Sequence, residues 1–448
     1  MARKLLLVVI DGLTPAMLER AIERGTAPTL ARLAAEGRYG RATSAFPSLT
    51  PVCLSSIATG AHPDVHEIPH LVWYHRGEER LVEYGSSFAA IRAAGVGRAL
   101  RDSVVEMNRT HLGERAVTLF EALEDAGLVS AAVNFTCYRG RTRHAASVPG
   151  VPAVNGPRRF FYYNLFESDF TGAPLSVRSR PRGTIDAYAA AVGRWLVTRD
   201  AFDALVFYLS DYDYASHAAG PDEAHEVLGR CDDHVRGLVD AAGGLDEFLE
   251  RYAVLVVADH GQTRVERAVQ LERRFAAAPG ALVTASNRAA MVYRLRGCLH
   301  DPRELAALLD GEPGVDVVLF REGAEAVARR DGEELRFRPE GGGWATSGDT
   351  ALLDHPDALE RSWRSLAGPH AGDLLVSAAD GWEFADLAGR SHAGGGSHGS
   401  LAASDSEVPV LAVGLERLPR SIAEVAPLVL EHFALDPPPY ARPLARAA

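Results

Sequence analysis

The 448-residue chain predicts an α/β fold, a doubly wound and mostly parallel central sheet with helices on both faces. Three observations point there. Short runs that are almost wholly apolar recur along the chain, as expected for strands buried on both faces. Segments with apolar residues at three- and four-residue spacing lie between them and close on glycine. The length exceeds what one hydrophobic core usually holds, so an insertion or a second unit is expected.

The elements follow in order. "LLLVVI" (5–10) comes after a basic start that imitates a secretory signal. The run is only six residues long, however, and ends in Asp11 without a small-residue cleavage site, so it reads as the first strand. "APTLARLAAEG" (27–37) is a helix. "AFPSLTPVCLSSIATGAHP" (45–63) opens a second helix at Thr50-Pro51, where threonine suits an N-cap and proline the first turn. "RAVTLFEALEDAG" (115–127) is helical and "LVSAAVNF" (128–135) a strand. Residues 140–185, with "RGRTRH" and "RRFFYYNLFE", have no clean period and read as an elaborated loop region. "ALVFYL" (204–209), the helix 223–243 and "YAVLVVA" (252–258) resume the alternation. Residues 271–369 read as an inserted smaller α+β subdomain, with strands at 289–297 and 315–320 and a helix at 302–310. "DLLVSAA" (373–379), the glycine-rich "AGGGSHGS" (393–400) and "VPVLAV" (408–413) return to the core, which therefore comprises 1–270 and 370–448.

The formal charge of −12, from 47 basic and 59 acidic residues, argues against general nucleic-acid binding, which usually needs a basic face. No apolar run approaches bilayer-spanning length, so no membrane partner is expected. Cys53, Cys137, Cys231 and Cys298 lack C-x-x-C spacing, which suggests reduced thiols and a cytoplasmic location.

The chemistry-bearing residues fall where strands end. "LLLVVI" runs into Asp11, "ALVFYL" soon reaches Asp213 and His217, and "YAVLVVA" reaches Asp259 and His260. Ligands of open α/β sheets bind beyond the carboxyl ends of the strands, so these side chains should converge. His398 sits in the glycine-rich loop, where small neighbours permit close approach. Taken singly, each has a plainer reading: a turn at Asp11-Gly12, an exposed i, i+4 pair at Asp213 and His217, a cap at Asp259, a loop histidine at His398. Together, carboxylates crowded at strand ends need a positive partner, and imidazoles among them suit divalent cations. Two metal ions are expected.

Six ordered motifs, "VVIDG", "FPSLTP" continuing to "TGAHPDVHEI", "DYDYASHAAGP", "VADHG", "GDLLVSAADGWEF" and "GGSHG", span nearly the whole chain. In these the chain resembles the alkaline phosphatase superfamily, in the branch of nucleotide pyrophosphatase/phosphodiesterases and phosphonoacetate hydrolase. The resemblance implies one ion held by Asp213, His217 and His398, and a second held by Asp11, Asp259 and His260. Thr50 beside the second would be the nucleophile, capping its helix as well. Zn2+ is the expected metal, with Mn2+ as an alternative. The implied activity is phosphodiester or pyrophosphate hydrolysis of a small soluble phosphate ester. Phosphonate or phosphomonoester hydrolysis on the same site is an alternative, and a metal-dependent binder without turnover is an alternative of another class. No Cys-x-Pro-x-Arg run of the sulfatase kind is present.

Two positions depart from the family pattern. Pro51 stands where diesterases place an aromatic residue, and Leu71 lies near the usual phosphate-binding asparagine, with His70 as a substitute. Arg139 and Arg143 of "YRGRTRH" are candidate anion contacts, the alternative being a solvated loop. Trp73, Tyr74 or the aromatics of "RRFFYYNLF" are candidates for stacking on a substrate ring, although aromatics more often pack.

Overall fold

A computed structural model describes residues 3–167 and 184–441. Residues 168–183 of the expected loop region and the Pro- and Ala-rich tail from 442 lie outside the described residues.

The chain first lays down β1 (Lys4–Ile10), β2 (Arg38–Thr43), β3 (Ser130–Val133), β4 (Arg159–Tyr162), β5 (Phe166–Glu167), β6 (Ala204–Leu209) and β7 (Tyr252–Val257). It then builds β8 (Ala281–Ser286), β9 (Ala289–Arg294), β10 (Val315–Glu322), β11 (Glu325–Arg330), β12 (Glu333–Glu340), β13 (Gly343–Gly348) and β14 (Leu374–Ala378), and ends with β15 (Glu407–Val413). The main sheet has the order β2-β15-β7-β1-β6-β3-β4-β5. Its centre, β7-β1-β6-β3-β4, is parallel throughout. β15 pairs antiparallel with both β7 and β2, and β5 pairs antiparallel with β4.

From Leu5 to Ile10, and all through β6 and β7, every residue is buried, which is what an apolar run without alternation requires. Helices at 15–23 and 28–36 pack with the helices Ile185–Thr198 and His225–Ala241. A separate group combines α1 (Thr50–Thr59) with helices at 119–125 and 425–432. No helix among the described residues is long and apolar enough to cross a membrane.

The second sheet, β8-β9-β14-β10-β11-β12-β13, is antiparallel throughout. It claims "DLLVSAA", which the sequence reading gave to the main sheet. The reason lies in its packing. Leu375 of β14 joins a core with Phe46 and Trp73 on one side, whereas Leu374 and Val376 join Leu305 and Val318 on the other. A strand covered on both faces looks the same in either sheet.

Candidate active site

The parallel register brings the strand ends to one edge. Ile10 lies opposite Leu209, and Val9 opposite Val257, so Asp11, Ser210 and Asp259 emerge side by side. Asp213 and His217 follow on α2 (Asp211–Ala219), four residues and about one turn apart, with Nε2 and Oδ2 separated by 3.3 Å. Gly12 has φ +69, and a Cβ there would lie 2.8 Å from Asp213 Oδ1, so only glycine lets β1 turn away so close to that carboxylate. A side chain at Gly395 would likewise collide with the His217 carbonyl.

The three imidazoles are oriented in the same manner. Nδ1 of His217 donates to Gly396 O at 2.8 Å, Nδ1 of His260 to Gly261 O at 3.0 Å, and Nδ1 of His398 to Ser48 O at 2.7 Å. A proton on Nδ1 leaves the Nε2 lone pair free, the tautomer that metal-binding histidines adopt. His260 Nε2 faces Asp11 Oδ1 at 3.3 Å, Asp259 Oδ2 at 3.4 Å and Thr50 Oγ1 at 3.1 Å. His398 Nε2 lies 3.9 Å from Asp213 Oδ1, and its ring stacks on that of His260 with centroids 3.6 Å apart.

Two groups therefore have the spacing of ligands, Asp11 with Asp259 and His260, and Asp213 with His260 and His398. His217 adjoins the second through Asp213. Burial, then Asp259 and Asp213, push the Asp11 carboxyl well above its ordinary range, and burial raises that of Asp259. Burial, then His260, hold His398 well below the usual imidazole range, so it is neutral. Asp11 Oδ1 and Asp259 Oδ2 are fully buried and have no hydrogen-bond partner among the described residues. Buried carboxylate oxygens without donors, facing bare imidazole nitrogens, form a donor set that suits divalent cations.

Thr50 is the first residue of α1, not its cap. Leu49 holds the N-cap position, and no side chain caps the helix. The threonine hydroxyl is turned instead to His260 Nε2, which is where the expectation of capping fails.

The crevice has a volume of about 310 Å³ and is walled by Pro51, Leu71, Tyr84, Tyr162, Tyr163 and Tyr214 among others. Trp73 and Tyr74 are not in its wall, whereas Tyr162 and Tyr163 of "RRFFYYNLF" are. The three further sequence candidates lie elsewhere. Arg139 is held by Glu121 at 3.2 Å and by the carbonyl of Leu112 at 3.0 Å, neutralised inside the fold. Arg143 is exposed on a two-stranded ribbon, paired in register with Asn155. His70 is buried, its Nδ1 engaged by Val72, and burial pushes it down to about 4, which leaves it uncharged at neutral pH.

Sequence reading missed four residues. Tyr208 donates to Asp11 Oδ2, Gln262 donates to Asp213 Oδ1, and Asn287 Nδ2 lies 2.9 Å from His398 Nε2. His392 stacks on His217 at 4.1 Å and is held by Glu383. Tyr208 reads as an ordinary strand aromatic, and Asn287 carries only the signal of a hairpin turn, "SNR" between two apolar strands. At φ +57 it has the left-handed conformation that asparagine tolerates.

A family profile described as type I phosphodiesterase / nucleotide pyrophosphatase matches residues 5–401. The chain belongs to this family. Like the family it is a hydrolase of phosphoester bonds, on an alkaline phosphatase-like fold in a metal-dependent superfamily. Among solved structures, phosphonoacetate hydrolase from Sinorhizobium meliloti, in complexes with phosphonoformate and with phosphonoacetate, is 21% identical with a TM-score of 0.63, covering 96% of each chain. An inactive variant of murine ectonucleotide pyrophosphatase / phosphodiesterase 5, in complex with AMP, is 13% identical with a TM-score of 0.63, covering 98% of this chain and 96% of that one. No curated protein sequence gives a match.

Proposed function

We propose that the chain is a two-metal phosphodiesterase with Thr50 as nucleophile. Asp213, His217 and His398 would hold one ion, and Asp11, Asp259 and His260 the other. Their chemistry would be to acidify bound hydroxyl and water groups and to offset phosphoryl charge, in which Zn2+ or Mn2+ would serve. The observation that carries the reading is Thr50 Oγ1, 3.1 Å from His260 Nε2 and beside two carboxylate oxygens without donors. A non-catalytic binder has no need of a hydroxyl there.

As the bond from Thr50 Oγ1 to phosphorus forms, the bond from phosphorus to the leaving oxygen breaks, and the proton that the hydroxyl gives up to solvent is balanced by one that the leaving alcohol takes up. Water then displaces the threonine, releasing the phosphate monoester and restoring the hydroxyl. The start of α1 offers unpaired N–H groups and a favourable dipole for the phosphoryl oxygens. Asn287 Nδ2 is within reach as an amide donor once the His398 lone pair it faces is otherwise engaged.

The charge of the wall supports diesters over the alternatives. Among the described residues no lysine or arginine lines the crevice. A diester carries one negative charge at neutral pH, whereas monoesters and carboxylated phosphonates bring more and would find no further cation.

The test compares bis-p-nitrophenyl phosphate, p-nitrophenyl phosphate and phosphonoacetate, with chelated enzyme reloaded with zinc or manganese. Release should depend on metal and favour the diester. Thr50→Ala should lower turnover by more than about a thousandfold while both ions stay bound. Unchanged activity in that variant would remove Thr50 from the reaction, and preference for phosphonoacetate would reverse the assignment of substrate.

A further inference from the structure

Five large hydrophobic side chains are exposed among the described residues, and three of them fall in one short stretch of chain, 88–100, while a fourth, Tyr214, lines the crevice. Phe88 (68%), Val96 (44%) and Leu100 (53%) project from two short helices, Phe88–Ala94 and Val96–Arg101, and Tyr214 (61%) stands in the crevice wall. The helices lead directly into Ser103 and Met107, which line the crevice.

The same lip is basic in an acidic chain. From Tyr84 to Arg101 there are three arginines, Arg92, Arg98 and Arg101, and no acid, although the whole chain carries −12. Arg101 pairs with Glu106 at 2.8 Å. No carboxylate among the described residues pairs with the guanidinium of Arg92 or Arg98. Arg390 and Arg92 line one hollow together with Phe88. Exposed aromatic and aliphatic side chains with unneutralised guanidinium groups between them match an interface of anionic head groups over acyl chains, where the apolar groups insert and the cations stay at the surface.

We propose that this lip, residues 88–101 with Arg390, docks on an anionic lipid surface and presents the mouth of the crevice to it. A surface dock of this kind amends the sequence expectation of no membrane partner, since it needs no spanning segment. The first helix has only seven residues and ends at Gly95 with φ +96, and the second runs on through Asp102–His111, so no single amphipathic period marks the lip in sequence.

The test is co-sedimentation of the full chain with vesicles of phosphatidylcholine alone and of phosphatidylcholine with phosphatidylglycerol. Binding should require the anionic lipid and weaken with salt. An Arg92→Glu/Arg98→Glu double variant should lower it by more than about tenfold, and Phe88→Ser/Leu100→Ser should weaken it while its salt dependence persists. Both variants should hydrolyse a soluble aryl diester as the parent does, which shows that they are folded. If the parent has no soluble activity, a parent-like melting curve serves instead. Failure of the parent to sediment with anionic vesicles, or unaltered sedimentation of both variants, would overturn the proposal. So would a dimer in solution that Phe88→Ser/Leu100→Ser dissolves without any vesicle binding, for the face would then belong to a second copy.

Discussion

Asn287 is the residue whose importance is least visible in sequence and most specific in structure. It sits at a hairpin tip in the left-handed region, is nearly buried, and points its amide at the nitrogen of His398. If it serves as a donor to a phosphoryl oxygen, Asn287→Ala should lower kcat/KM for a diester by about a hundredfold, the scale of losing one oriented donor. Metal content, measured by elemental analysis, should be unchanged. Loss of an ion, with activity restored by excess metal, would show that the residue only steadies His398. Tyr208 illustrates the same blindness. Its ring is strand packing, and only its hydroxyl, donating to Asp11 Oδ2, belongs to the site.

At the scale of elements, the loops bearing His260 and His398 are tied together by one buried ion pair. Arg288 Nη1 donates to Asp405 Oδ1 at 2.9 Å with both side chains fully buried. The backbone N–H of Arg288 donates to His398 O at 2.8 Å, and that of Gly261 to Asp405 O at 2.8 Å. Asp405 also accepts from Ser400 N at 2.9 Å. Arg288→Ala would strand a buried carboxylate, and the expected loss of stability is about 3–5 kcal/mol, measurable by urea unfolding. Because both loops hang on the pair, retention of metal during dialysis should fall in the same variant. A loss under about 1 kcal/mol would mean that water replaces the guanidinium. Arg288 was unreadable as a brace because its partner lies 117 residues further along the chain.

At the scale of the whole molecule, the site joins β1, β6 and β7 of the main sheet to the tip of the β8–β9 hairpin from the second. Removing cations should therefore loosen more than a loop. Chelation is expected to lower the melting temperature by roughly 5 °C or more, with recovery on adding zinc or manganese, since a ligand that binds only the folded state stabilises it by mass action. An unchanged melting curve would argue that the carboxylates carry no ion. The strand runs, and the acids and histidines that close them, were legible in the sequence because burial on both faces demands unbroken apolar residues, and polar groups at their ends cannot be mistaken for core. Which sheet a run joins was not legible. "DLLVSAA" and "VPVLAV" are equally apolar, yet one enters the antiparallel second sheet and the other closes the main sheet antiparallel to β7. Nor did the sequence reveal that Arg139 is spent on Glu121, or that Thr50 turns away from capping. The sequence by itself determined the kind of fold and the kinds of side chain that close its strands, because burial and side-chain chemistry are local properties of residue type. Only the tertiary structure decided which side chains meet and which guanidinium groups remain unpaired, because partners distant in sequence are chosen by strand register and loop packing.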